Sequence, residues 1–414
     1  MDEEKVLRAL LDRAASADQP PSRVNVARAC RVGARQRRIR RAAIPAASTG
    51  AIAIATGLTV TGTLGFGAAG PGPHRTAPLI AYVSNYFSDT VTPINTATMK
   101  AGTPIPAGGG PGQMAVTPDG RTLYVDDGSG TVTPISTATR KAGKAIKVGK
   151  EPTGIVITAN GKTAYVMNDG SGTVTPINTA TSKAGKAIKV GSMPNAIVFA
   201  PDGRTAYVLN YGSATVTPIS TATNEAGTAF KVGHHVLTSM VITPDGKTIY
   251  VLAQGAVVPV STVTDKPGKA IKVDPQSAGM AITPDGRTVY VVSYHGLVTP
   301  INTRNNKAGK AIKVADATEQ IAVTPNGKTV YVVSYSGLVT PINTATNEAG
   351  KAVSVGTLHI GQEYYTITIS PDGRTVWVAR GVRGTVTPIS TATGKAGKPI
   401  KTGGRQPSFM AFVR

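Results

Sequence analysis

From residue 80 to the C-terminus the apolar residues fall in short runs bounded by clusters of Gly, Asp, Asn, Ser and Pro, and the same pattern recurs down the chain. One unit shows it. Met114-Ala-Val-Thr-Pro-Asp-Gly-Arg-Thr-Leu-Tyr-Val125 is two β-rich runs around a Pro-Asp-Gly turn, and Asp-Gly between such runs is a strong hairpin signal. Gly128-Ser-Gly130 leads into Thr131-Val-Thr-Pro-Ile135, and Lys141-Ala-Gly143 leads into Lys144-Ala-Ile-Lys-Val148. The unit reads as four strands joined by short turns.

The third run is marked by a proline, at Pro93, Pro134, Pro176, Pro218, Pro259, Pro300, Pro341 and Pro388, so the gaps are 41, 42, 42, 41, 41, 41 and 47 residues. A period of about 40 to 45 residues with four strands per unit belongs to propeller blades. The Tyr-Val run has eight copies, at Tyr82, Tyr124, Tyr165, Tyr207, Tyr250, Tyr290, Tyr331 and, as Trp, Trp377. The first copy lacks a preceding strand, while the chain ends with a surplus one, Ser408-Phe-Met-Ala-Phe-Val413. Joining the two predicts an all-β, eight-bladed β-propeller of four-stranded blades over residues 79–414, which is 336 residues or 42 per blade. A seven-bladed ring with one blade extruded is the alternative.

The N-terminal part has a different texture. Residues 1–41 read as a short, helical, basic tail with 11 Lys/Arg against 5 Asp/Glu. Residues 42–69 carry no charge and, if helical, would span about 42 Å at 1.5 Å per residue against a hydrocarbon core of roughly 30 Å. Arginines packed just before this span, from Arg31 to Arg41, predict a signal anchor with its N-terminus in the cytoplasm and the ring outside the cell membrane. Two alternatives stay open: secretion after signal-peptide cleavage, suggested by Arg37-Arg38 and the small residues Gly67-Ala68-Ala69, and a buried helix of a soluble protein. Residues 70–78 form a linker.

Tyr-Val-(Ser/Asn), Gly-Ser-Gly-Thr-Val, Asn-Thr-Ala-Thr, Val-Gly-x-x-Pro and Thr-Pro-Asp-Gly, repeated through the array, resemble the YVTN-repeat β-propeller family. The resemblance implies an exported or surface-displayed binding module, and related propellers include lactonases. One feature departs from the family. Where its third strand runs Val-x-Val-Ile-Asp, this chain has Val-Thr-Pro-Ile followed by Asn or Ser, as at Asn95 and Ser136. The eight missing carboxylates account for much of the net charge of +22. A strand proline cannot donate to the ladder, so these prolines are expected at bulges or non-hydrogen-bonded positions.

Candidate chemistry is sparse. The single cysteine, Cys30, precedes the repeats, so the ring has no disulfide and no thiolate site. No Gly-x-Ser-x-Gly elbow, His-Glu-x-x-His, Cys-x-x-Cys-His or Walker loop occurs, and Trp377 alone cannot supply the tryptophan per blade of the quinoprotein dehydrogenases. Lysines such as Lys144 and Lys147 on the outermost strands deter edge pairing, with polyanion binding as the alternative role. At 5% aromatic residues the ring lacks stacking platforms for nucleic acid.

Ligands of propellers dock on the face that carries the loops between strands two and three and the connectors between blades. Those loops vary here, which selects Asp126, Asp127, Glu151, Asp169, His234, His235, His295, Glu363, Tyr364, Tyr365, Arg380 and Arg383 as the candidate ligand site. The opposite face carries a cation after each Pro-Asp-Gly or Asn-Gly turn: Arg121, Lys162, Arg204, Lys247, Arg287, Lys328 and Arg374. Because the linker enters there, this face is expected to lie on the membrane. The favoured function is a monomeric, non-catalytic binding or scaffold module without cofactor, held at the cell surface. Its partners would be an anionic membrane or cell-wall polymer and a protein or glycan ligand. The alternative is a metal-dependent, lactonase-like hydrolase with its site at the channel mouth.

Overall fold

The computed structural model describes residues 78–233, 237–315, 318–356 and 365–414, which form eight antiparallel sheets. Blade 2 is representative. Its inner strand is Pro111–Val116, its second Thr122–Asp127 and its third Thr131–Ser136. The outer strand comes in two pieces, Lys141–Ala142 and Ile146–Lys147, both paired with the third strand. The other sheets repeat this order, and blade 8 has an isolated bridge, Ile389 to Ala396, in place of the first outer piece. Among the described residues no helix is long and apolar enough to cross a membrane. The tail 1–41 and the proposed anchor 42–69 lie outside the described residues.

The C-terminal strand closes the ring. Pro407–Val413 pairs with Ile80–Asn85 in the register Ile80 to Val413, Ala81 to Phe412, Tyr82 to Ala411 and Val83 to Met410. It also lies against the inner strands on either side, Pro111–Val116 and Tyr365–Ile369, and inner strands approach one another all round the circle. The eight-bladed reading holds and the seven-bladed one falls away.

Strand alternation sends successive side chains of each second strand into two different interfaces. Tyr82 packs with Leu123 and Val125 between blades 1 and 2, while Ala81 and Val83 pack with Trp377 and Ala379 between blades 8 and 1. Each of the eight interfaces has its own apolar cluster. Stability therefore depends on every blade having two neighbours.

The tyrosines of the Tyr-Val runs add a polar lock to this packing. Tyr165, Tyr250 and Tyr290 each donate a hydroxyl at 2.6 Å to an asparagine Oδ1 of the next blade, on Asn224, Asn306 and Asn347. Those acceptors sit in the turn between third and outer strands at φ 58°, 54° and 57°, a left-handed conformation that asparagine tolerates better than most residues. In blade 8 Trp377 takes the tyrosine position, and its buried Nε1 has no partner among the described residues.

The split outer strand explains the strand prolines. Pro134 stands opposite Tyr124, and its carbonyl accepts from Gly143 N at 2.7 Å, so its donor-less nitrogen faces the same way, toward the gap between the outer pieces. The glycine is required by the proline. A Cβ at Gly143 would sit 3.2 Å from Pro134 Cγ, and the same contact recurs at Gly102 with Pro93 and at Gly309 with Pro300. Gly143→Ala is therefore expected to cost about 1 kcal/mol by crowding a packed ring, measurable as a lower urea midpoint with the m-value unchanged.

Candidate functional site

The two loop classes do share one end of the ring. In blades 1, 3, 4 and 6 the loop after the second strand hydrogen-bonds the connector that opens the same blade: Tyr86 N to Gln406 O at 3.0 Å, Asp169 N to Glu151 O at 2.9 Å, Tyr211 N to Met193 O at 2.9 Å and Tyr294 N to Gln276 O at 3.1 Å. The Pro-Asp-Gly turns lie at the other end of the strands.

The structure separates the candidates into residues that hold the loops and residues that are presented. Asp127 belongs to the first kind. Its Oδ1 accepts from Ser129 N, Ser129 Oγ and Thr131 N, and its Oδ2 accepts from Thr131 Oγ1 at 2.6 Å. Asn85, Asn168 and Asn210 occupy the same place in their blades and donate to threonines of the third strand. Asp126 is 2% exposed and packs beside Gly112. Tyr365 is a core residue between blades 7 and 8, and the Arg380 guanidinium lies over its ring, 5.7 Å from the centroid, while donating to Val355 O at 3.3 Å. Glu151, His295 and Arg383 are exposed, and Asp169 is half-buried. His234, His235, Glu363 and Tyr364 lie outside the described residues.

One sector of the face concentrates presented chemistry. His295 Nδ1 lies 2.9 Å from Asp274 Oδ2, and Asp274 is itself fixed by accepting from Gln276 N at 2.8 Å through Oδ1. The imidazole keeps 53% of its surface in solvent, and Nε2 has no partner among the described residues. Next to it the rings of Tyr294 and Tyr335 stack with centroids 6.3 Å apart and planes 11° apart. A half-buried aromatic pair beside an oriented imidazole offers a flat apolar surface and a directional hydrogen bond together.

Asp274 and Tyr335 were missing from the sequence-based site. Asp274 sits 21 residues before its histidine in a connector, and only the fold joins them. Tyr335 had a usable signal, because Ser334-Tyr-Ser-Gly-Leu338 repeats Ser293-Tyr-His-Gly-Leu297.

The described part of the hydrolytic donor set does not converge. Among the described residues no three His, Cys, Asp or Glu side chains form a metal-holding group. Both oxygens of Asp127 are engaged by its own loop.

On the opposite face the turn cations come with carboxylates. Asp119, Asp245 and Asp285 accept from the threonine two residues earlier, and these bonds hold their carboxyls below the usual range. Arg121 Nε lies 3.9 Å from Asp119 and Arg287 Nε 3.7 Å from Asp285. The seven cations therefore share their turns with five aspartates, Asp202 and Asp372 being the others, and 7 − 5 leaves a net +2. Only Lys162 and Lys328 follow an asparagine turn.

No family model matches the chain and no curated relative matches it, so the YVTN resemblance rests on its repeat residues. Solved structures share the fold. The chain is similar to Kuenenia stuttgartiensis hydrazine synthase, at 22% identity and TM-score 0.55 over 68% of this chain and 96% of that one. It is also similar to the dihydro-heme d1 dehydrogenase NirN, at 15% identity and TM-score 0.67 over 80% of this chain and 74% of that one. A third likeness is to apo AztD from Citrobacter koseri, at 12% identity and TM-score 0.63 over 82% of this chain and 98% of that one. At such identities the likeness establishes the propeller and leaves function to the site.

Proposed function

We propose that the chain is a binding module whose ligand docks on the loop face of blades 6 and 7, at Tyr294, His295 and Tyr335. The carrying observation is the stacked tyrosine pair beside a solvent-facing imidazole oriented by Asp274. This favours binding over hydrolysis, because Asp127, one of the loop carboxylates that a lactonase-like site would use, is engaged in holding its own loop, and the described carboxylates and histidines form no metal-holding group. The reading places the module outside the cytoplasm, tethered by residues 42–69, with a wall glycan as its ligand. Support for the tether is the run of arginines before an uncharged span.

Retention of the full chain on insoluble peptidoglycan tests this. His295→Ala with Tyr335→Ala is expected to lower retention at least about tenfold, as loss of two central anchors does. Lys247→Gln on the far face should leave retention within about twofold. Equal losses from both, or no retention of the unaltered chain, would overturn the reading. Stoichiometric Ca, Mn or Zn in the purified protein would favour the hydrolase instead.

A further inference from the structure

The unneutralised charge of the ring lies on its rim. In blades 2 and 3 the outer pieces and the bend between them carry Lys141, Lys144, Lys147, Lys183, Lys186 and Lys189, all exposed. None of the six has a carboxylate within 4.0 Å among the described residues, in contrast to Arg121 and Arg287 on the turn face. The two blades form one arc, because Ile146–Lys147 approaches Lys183–Ala184 across the blade boundary. Blades 5 and 6 repeat the arrangement, with Ile271–Lys272 against Lys307–Ala308.

Edge protection does not require this much charge. A single lysine or proline per edge blocks strand pairing, and blade 1 manages with Lys100 and the prolines of Thr103-Pro-Ile-Pro106. Blades 4 and 7 replace the first lysine with Glu225 and Glu348. The excess thus falls in two paired arcs whose centres are three blades apart, about 135° on a ring of eight equal blades, and in the single blade 8 with its exposed Lys395, Lys398 and Lys401.

We propose that these two arcs are docking surfaces for a linear, non-nucleotide phosphodiester or polyphosphate chain that follows the rim. Charge complementarity selects a polyanion. The curvature selects a flexible chain, since a flat bilayer tangent to the rim cannot meet both arcs. The composition selects against single-stranded nucleic acid, because the outer pieces of blades 2, 3, 5 and 6 carry no aromatic ring on which a base would stack. This surface is separate from the loop-face site and stands or falls without it.

The test uses the full chain in neutral detergent with three probes: linear sodium polyphosphate, oligo-dT, and vesicles of phosphatidylglycerol with phosphatidylcholine. One variant changes the six lysines of blades 2 and 3 to Gln, and a second changes only Lys144→Gln and Lys186→Gln. The control changes the seven turn cations to Gln. The six-lysine variant is expected to bind polyphosphate roughly 100-fold more weakly at 0.1 M salt, with the slope of log affinity against log salt smaller by about 4, at about 0.7 for each phosphate charge left unneutralised. The two-lysine variant should lose a proportionate part, and the control should stay within about threefold. Should the six-lysine variant not fold, the two-lysine variant decides. Unchanged polyphosphate binding, an equal loss in the control, or an equal dependence of oligo-dT or vesicle binding on the same six lysines would overturn the proposal.

Discussion

A chain ending at residue 406 is expected to melt roughly 5 °C or more below the full-length protein and to self-associate. The missing strand, Pro407–Val413, is the inner strand of blade 1 and the only partner of Ile80–Asn85 on that side. Its loss uncovers two apolar clusters at once. Val413 and Ala411 pack with Tyr82 and Leu123 between blades 1 and 2, and Met410 and Phe412 pack with Trp377 between blades 8 and 1. At about 25 cal/mol per Å² of apolar surface, that loss is several kcal/mol, and at about 2.1 cal/mol/K of unfolding entropy per residue a ring of this size shifts by roughly 1.4 °C per kcal/mol. The bared edge of Ile80–Asn85 would offer a row of unpaired backbone groups to a second molecule. A synthetic peptide of residues 407–414 should refill the edge and restore the melting temperature. Melting within a degree or two of the full chain, with a monomeric elution profile, would mean that the ring does not depend on this strand.

The repeat made the ring legible because each blade writes out its own turns, and strand counting alone exposed the orphan strand at Ser408. Lys-Ala-Gly was harder, since its glycine reads as a plain turn. Only the fold shows that Gly143 clears room for Pro134 and that the proline faces a gap in the outer strand. The candidate site was less legible for a related reason. A carboxylate in a variable loop looks the same in sequence whether it faces solvent or its own backbone, and Asp127 proved to do the work of Asn85 and Asn168 in neighbouring blades. Tyr365 and Arg380 likewise looked presentable, yet at 5% and 7% exposure they belong to the seam between blades. His295 was found because it breaks the repeat. Its partner Asp274 was not, because pairing across a connector is a property of the closed blade.

Alkaline pH is expected to unlock the interfaces that the tyrosines hold. Tyr250 and Tyr290 are 1% and 0% exposed, and burial, helped by the nearby Asp245 and Asp285 charges, pushes their hydroxyls up to about 12. Burial likewise raises Tyr82, Tyr165, Tyr207 and Tyr331. The sign follows from linkage. The unfolded chain titrates near pH 10 and the folded chain higher, so the folded state binds more protons between the two values. The stabilising effect is complete below about pH 10 and is lost as the pH rises toward about 12. For Tyr250 and Tyr290 a shift of about two units corresponds to at most about 2.7 kcal/mol each. The urea midpoint should hold steady at neutral pH and fall steeply above pH 10. Tyr250→Phe and Tyr290→Phe should each cost about 1 kcal/mol at neutral pH, through the lost bonds to Asn306 and Asn347. In return they should flatten the alkaline fall, because a phenyl ring has no proton to lose. If tyrosinate absorbance in the folded protein rose at the ordinary phenol pKa for all the tyrosines, the buried hydroxyls would not be the origin of any alkaline instability.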